Sequence, residues 1–206
     1  MPGWQRFYDA HRDDNFELVA IALEHGGRDL AKPFVEVAKA EYPVVADEHG
    51  LTSRLLDYKA VPNGVLVDTD GTIRYAKYGG FSVDKPEDVA VVERFLAGED
   101  PGPSPANNAA YTLGPVEKEL VDTKLRFGRL LDSVGKRHEA LSEWQTALHL
   151  DPDNLVIRKQ IWSVRYPERF HPEIDWAWQK EQLPKEREAE IAAGFCGPDG
   201  CPVPWG

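Results

Sequence analysis

The chain's only cysteines, Cys196 and Cys201, sit in its last eleven residues, in the run Cys196-Gly-Pro-Asp-Gly-Cys201-Pro. Pro198 and Asp199 suit the central positions of a type I turn with Gly200 next, which brings two sulfurs within disulfide reach. Three readings stand open: a reduced chain terminus, a redox-active or shuttle pair, and capture of a metal or metalloid. Two thiolates fill only half of a tetrahedral zinc site, and His171 adds a third ligand only if the tail folds back, so no metal site is assigned. The six histidines show no paired spacing. His25, before Gly26-Gly27, and His49, before Gly50, read as turn residues, and Asp47-Glu48 reads as a loop charge pair.

The elements that must position any such chemistry fall into two parts. Residues 98–115 are dense in Pro, Gly and Asn, which break periodic structure, and read as a linker. Before them lies an α/β pattern over residues 1–97. An apolar run at 17–23 suits a strand covered on both faces, and 30–41 has helical spacing. Short strands are expected at 44–46, 65–67 and 73–78. The last two are joined by Asp68-Thr-Asp-Gly71, a hairpin signal. Asp84-Lys-Pro-Glu87 resembles a capping box opening a helix through Val89, Val92 and Phe95. The expected result is one partly parallel sheet closed by an antiparallel hairpin.

After the linker the pattern is helical. Phe127, Gly128, Leu131, Ala140, Trp144, Ala147 and Pro152 match the 34-residue tetratricopeptide spacing. Gly128, Ala140 and Ala147 let two antiparallel helices approach, and Phe127, Leu131 and Trp144 are expected to fill the seam. Gly135 marks the turn, and Asp151-Pro-Asp-Asn154 stops one helix and caps the next. The helical module is assigned to 116–183 and a C-terminal helix with the cysteine tail to 184–206. One such unit cannot bury its apolar face alone, so a capping helix over residues 155–165 and a further cover are expected. Trp176 and Trp178 suggest a segment clamped between surfaces.

A net charge of −11 argues against a phosphate-backbone partner, so nucleic acid is excluded. No apolar run approaches the ~18 residues of a membrane-spanning helix. Met1 opens no secretion signal, which implies a cytoplasmic product if Met1 is the start and allows an extracytoplasmic one if a signal precedes it.

Residues 1–81 resemble the TlpA/ResA-like thioredoxin-fold redoxins. The matching features are Pro2 with Gln5-Arg-Phe-Tyr8, the run 17–23, Tyr42-Pro-Val-Val-Ala-Asp47, Leu56-Asp-Tyr58, and Val61-Pro-Asn-Gly leading into the hairpin. The resemblance implies that Pro62 is cis and that the backbone of Val61 offers hydrogen bonds to a bound peptide, making Val61 and Pro62 substrate-binding residues. It implies protein thiols or disulfides as substrates and no separate cofactor.

This chain departs from that family at three points. Asn63 replaces the usual Thr, and the strand that is central in the family's sheet is absent. So is the Cys-x-x-Cys motif, leaving residues 1–97 without a catalytic thiol. The expectation is therefore a thiol–disulfide oxidoreductase whose motif, as Cys-x-x-Cys or a selenocysteine variant, lies upstream of Met1. Its alternative is a redox-inactive module that binds a protein partner through the helical hairpin. The edge left by the absent strand also invites pairing with another chain, so an oligomer is open.

Overall fold

The computed structural model describes residues 1–23, 27–106 and 111–194 of the chain. It divides into two compact units, Met1–Asn107 and Asn108–Gly206. The run from Pro101 to Ser104 is part of the first unit's packing, because Arg94 Nη2 donates to Pro101 O and Ala76 N–H donates to Ser104 Oγ. The division therefore falls inside the 98–115 segment.

The first unit runs α1 (Pro2–Ala10), β1 (Ala20–Ala22), α2 (Arg28–Ala38), β2 (Val44–Ala46), α3 (Leu51–Leu56), β3 (Gly64–Val67), β4 (Ile73–Lys77) and α4 (Pro86–Leu96). Pro2 and Pro86 each sit in a first helical turn, where a missing N–H costs nothing. β1 pairs parallel with β2, with Ile21 opposite Val45, and β3 pairs antiparallel with β4. Asp68 N–H donates to Thr72 O across the hairpin, and Gly71 takes the positive φ of 84° that the turn requires. Phe7, Tyr75, Phe81, Val91 and Val92 form the core, so α1 and α4 both pack on the β3–β4 hairpin.

Three expectations for this unit change. The single sheet is two separate two-stranded ladders, because β1 and β3 do not pair with each other. The 17–23 run is not covered on both faces: only three residues form β1, and the pair Ile21 and Val45 stays half-exposed. The expected capping box does not form either. Lys85 is the N-cap of α4 and lends no side chain, while Asp88 in the first turn is buried and accepts from Ser82 N–H and Lys77 Nζ. A carboxylate there satisfies a backbone donor and an ammonium at once, which an exposed Asp84 cannot do.

The second unit comprises α5 (Pro115–Ser133), α6 (Arg137–Leu150), α7 (Leu155–Arg165), a 3-10 turn (Pro167–Arg169) and α8 (Trp176–Ala192). α5 and α6 form an antiparallel hairpin whose core holds Val121, Leu125, Ala140, Trp144, Ala147 and Leu148, with Ile157 and Ile161 of α7 closing it. Asn154 caps α7 by accepting from Val156 and Ile157 N–H, worth about 1 kcal/mol. Leu131 packs on this core, but Phe127 does not: it lies exposed on the far side of α5, and Leu125 and Val121 fill the seam instead. The segment expected to be clamped is the start of α8. There Trp178 meets Trp162 and Tyr166 at 5.2 Å each, while Trp176 is exposed beneath Lys159. α8 runs unbroken through Pro184, so the 183/184 boundary falls inside a helix.

Tyr111 tethers the segment before α5 to the end of α6. Its hydroxyl donates to Asp151 Oδ1 at 2.6 Å and accepts from Asp153 N–H at 3.0 Å. Burial first, then the charge of Asp151 and the hydrogen bond to it, push the phenol well above its ordinary range. A raised folded-state value means that this stabilisation is complete below the unfolded value near 10 and declines as pH rises beyond it. Melting curves of Tyr111→Phe should therefore fall less steeply above pH 10 than those of the wild type. Parallel declines would remove Tyr111 from the alkaline transition.

Candidate functional site around Val61 and Pro62

Pro62 opens the segment that becomes β3, and the Val61–Pro62 peptide is cis. Pro62 is exposed, and its carbonyl accepts from Phe81 N–H at 3.1 Å. Asn63, which the family resemblance counts as a departure, braces the neighbouring turn, where its Oδ1 accepts from Gly79 N–H at 2.7 Å. Lys85 Nζ donates to Gly80 O, so the two-glycine turn after β4 is held from both sides. Gly64 lies so close to Phe81 that a Cβ there would sit 2.3 Å from its ring. These contacts fix the backbone immediately after Val61. Val61 itself makes no backbone hydrogen bond among the described residues, and its N–H and C=O remain available.

The first turn of α1 stands beside this segment. Trp4 stacks on Phe81, with ring centroids 5.6 Å apart and planes 8° from parallel. A Cβ on Gly3 would sit 2.3 Å from Val83 Cγ1. Phe81 therefore links the two: its ring carries Trp4 and its N–H holds Pro62. The N-terminal end of α1, where the helix dipole favours negative charge, is thus built into the same corner as Val61 and Pro62.

A second polar group lies after β2. Asp47, buried, accepts from Leu51 and Thr52 N–H and from Thr52 Oγ1, which is 2.7 Å from the Tyr58 hydroxyl. Tyr58 is raised above its ordinary range, mainly by burial. Asp47 closes the start of α3 and Thr52 relays to Tyr58, so this group is structural. His49 lies in the turn before α3, as expected. Cys196, Cys201 and His25 lie outside the described residues.

The strand edges complete the site's surroundings. Ala20 N–H donates to Pro43 O, and Ala22 O accepts from Asp47 N–H, so those residues face β2 and Ile21 faces the opposite edge. In β3, Val65 sits opposite Ala76, whose N–H turns away to Ser104. Val65 therefore also presents its backbone to the edge away from β4. Neither Ile21 nor Val65 has a backbone partner on that edge among the described residues.

Over 87 residues the chain is 26% identical to the sporulation thiol-disulfide oxidoreductase A of Bacillus subtilis (strain 168), a match covering 41% of this chain and 53% of that protein. The chain spans about half the length of that relative. No protein-family model and no solved structure matches the chain. Among the described residues, no helix is long and apolar enough to cross a membrane, and no three acidic, histidine or cysteine side chains gather as a metal site.

The sequence pointed to Val61 and Pro62 through the proline step. It held no clear sign of Trp4 and Phe81, whose stacking ties α1 to that step. The available signal was weak: one aromatic in the first turn of α1 and one just after a two-glycine turn.

Proposed function

We propose that this chain is part of a thioredoxin-like thiol–disulfide oxidoreductase acting on protein thiols or disulfides, whose redox motif is supplied by residues preceding Met1. The observation that carries the reading is the unsatisfied backbone of Val61 beside Pro62 and the N-terminal end of α1. An extended peptide can pair with the Val61 N–H and C=O. A thiolate held at the start of a helix is stabilised by the dipole and by unpaired N–H groups, which is what a nucleophile in disulfide exchange needs. It attacks one sulfur of the substrate disulfide, the other sulfur leaves as thiolate, and a second thiol of the motif resolves the mixed disulfide. The distant likeness to a thiol–disulfide oxidoreductase supports this general class. The open edges of β1 and β3 fit a chain whose intervening strand belongs to the same preceding segment.

In this reading Cys196 and Cys201 are resolving or relay thiols. The second reading is a redox-inactive, partner-binding module, favoured by the lack of any cysteine in residues 1–195. Two measurements separate the readings. The reading frame upstream of Met1 should encode a short apolar strand followed by Cys-x-x-Cys or its selenocysteine variant, and the protein made from that start should reduce insulin. A frame without such a motif overturns the first reading. Insulin reduction by the present chain, abolished in Cys196→Ser, would assign the activity to the tail.

A further inference from the structure

α5 carries two apolar faces. One, with Val121, Leu125 and Gly128, is buried against α6. The other consists of Val116, Leu120, Thr123, Phe127, Leu130 and the C-cap residue Val134, spaced 4, 3, 4, 3 and 4 residues apart. At about 100° per residue these six lie within about 40° of one line, opposite the buried face. The spacing averages 3.6 residues, one helical turn, so the six form a single seam straight along α5. Yet the five apolar side chains on it are 42% to 77% exposed.

We infer that this seam is a homodimer interface: α5 of one copy packs along α5 of a second copy of this chain. Charge selects that occupant. The chain carries a net −11, so most of its surface repels another copy, but α5 has four acidic and four basic side chains and is neutral. The seam also runs Val, Leu, Thr, Phe, Leu, Val, so its ends match in size, as a surface that pairs with itself requires. Exposed apolar patches of a few hundred Å² on a monomer mark interaction sites, and two such faces together reach ~1,000 Å², the lower bound for a specific interface. The dimer is accordingly a weak, concentration-dependent one. A tetratricopeptide-like hairpin with only α7 covering one side leaves this face for a neighbouring unit, and the second copy supplies it.

Sedimentation velocity on the full chain tests this. The wild type should pass from monomer to dimer as concentration rises through the micromolar range. Leu120→Glu and Phe127→Glu should weaken association at least tenfold while far-UV circular dichroism stays unchanged, since both positions are exposed. Leu120→Gln, which adds no charge, should weaken it in the same direction. Val37→Glu and Leu55→Glu, on other exposed apolar residues, should leave it intact. A monomer at every concentration overturns the proposal, and so does dimerisation that persists in the α5 variants or is lost in the Val37 and Leu55 variants.

Discussion

Trp144→Ala should cost the helical unit about 3–5 kcal/mol, the range for removing a buried tryptophan and leaving its cavity. Trp144 is fully buried, and its Nε1–H donates to Leu125 O at 3.3 Å. Its indole occupies the one place where α5 lacks a side chain: a Cβ on Gly128 would lie 2.3 Å from Nε1. That closeness gives a sharper test than the single loss. In the wild type, Gly128→Ala forces the ring to move and should destabilise by about 1–3 kcal/mol despite alanine's better helix propensity. In the Trp144→Ala background the obstruction is gone, and the same change should stabilise by up to ~1 kcal/mol. Denaturant unfolding followed by far-UV circular dichroism reads all four proteins. A Gly128→Ala effect of the same sign in both backgrounds would show that glycine and tryptophan are not sterically coupled.

The places of Gly128 and Trp144 at the seam were legible in the sequence because small and large residues recur there at fixed helical offsets, and such offsets survive in one dimension; that the indole lies against Gly128 itself was not. Phe127 was misplaced for a related reason. One position from Gly128 is about 100° around the helix, so a residue adjacent to a seam position belongs to another face. The repeat pattern describes a unit inside a stack, whereas this hairpin has a covering helix on one side only, and Phe127 lies on the side without one.

In the first unit the strands expected at 44–46, 65–67 and 73–78 from apolar runs between turn residues lie within a residue of β2, β3 and β4. How they assemble was not legible. Pairing is decided by partners far away in the chain, and β1 and β3 share none among the described residues. Val61 and Pro62 became candidates only through the family resemblance, since a lone proline before a glycine-containing strand looks like many turns. Asp88 gave no signal at all. As a first-turn acid it resembles Glu87, and only Lys77, eleven residues earlier, makes it a buried ion pair.

Arg158→Ala should release α8 from the helical unit and cost about 3–5 kcal/mol, the range for removing one partner of a buried ion pair. Arg158 is fully buried, although α7 is otherwise the apolar lid contributing Ile157 and Ile161. Burial disfavours its charge, but Glu190 and then Glu186 more than offset that and raise its pKa. Nη1 reaches Glu186 and Glu190 at 2.8 and 2.7 Å, and Nη2 reaches Glu190 and Pro152 O at 2.8 and 2.9 Å. Glu186 also accepts from Trp162 Nε1 at 2.9 Å. α8 buries only Gln179, so these bonds, the Arg187–Asp153 ion pair at 3.1 Å and the Trp178 contacts hold it in place rather than an apolar stripe. Without the guanidinium, Glu190 keeps Arg187 and Glu186 keeps Trp162 and Gln182, but the two carboxylates lose the cation between them, and α8 gains by moving its glutamates into water. Limited proteolysis should then cut within α8 while α5, α6 and α7 stay intact. Adding Glu186→Gln and Glu190→Gln should recover part of the lost stability, because neutral amides no longer repel. If α8 in Arg158→Ala remains as protected as in the wild type, the ion cluster does not hold the helix and the aromatic contacts of Trp178 do.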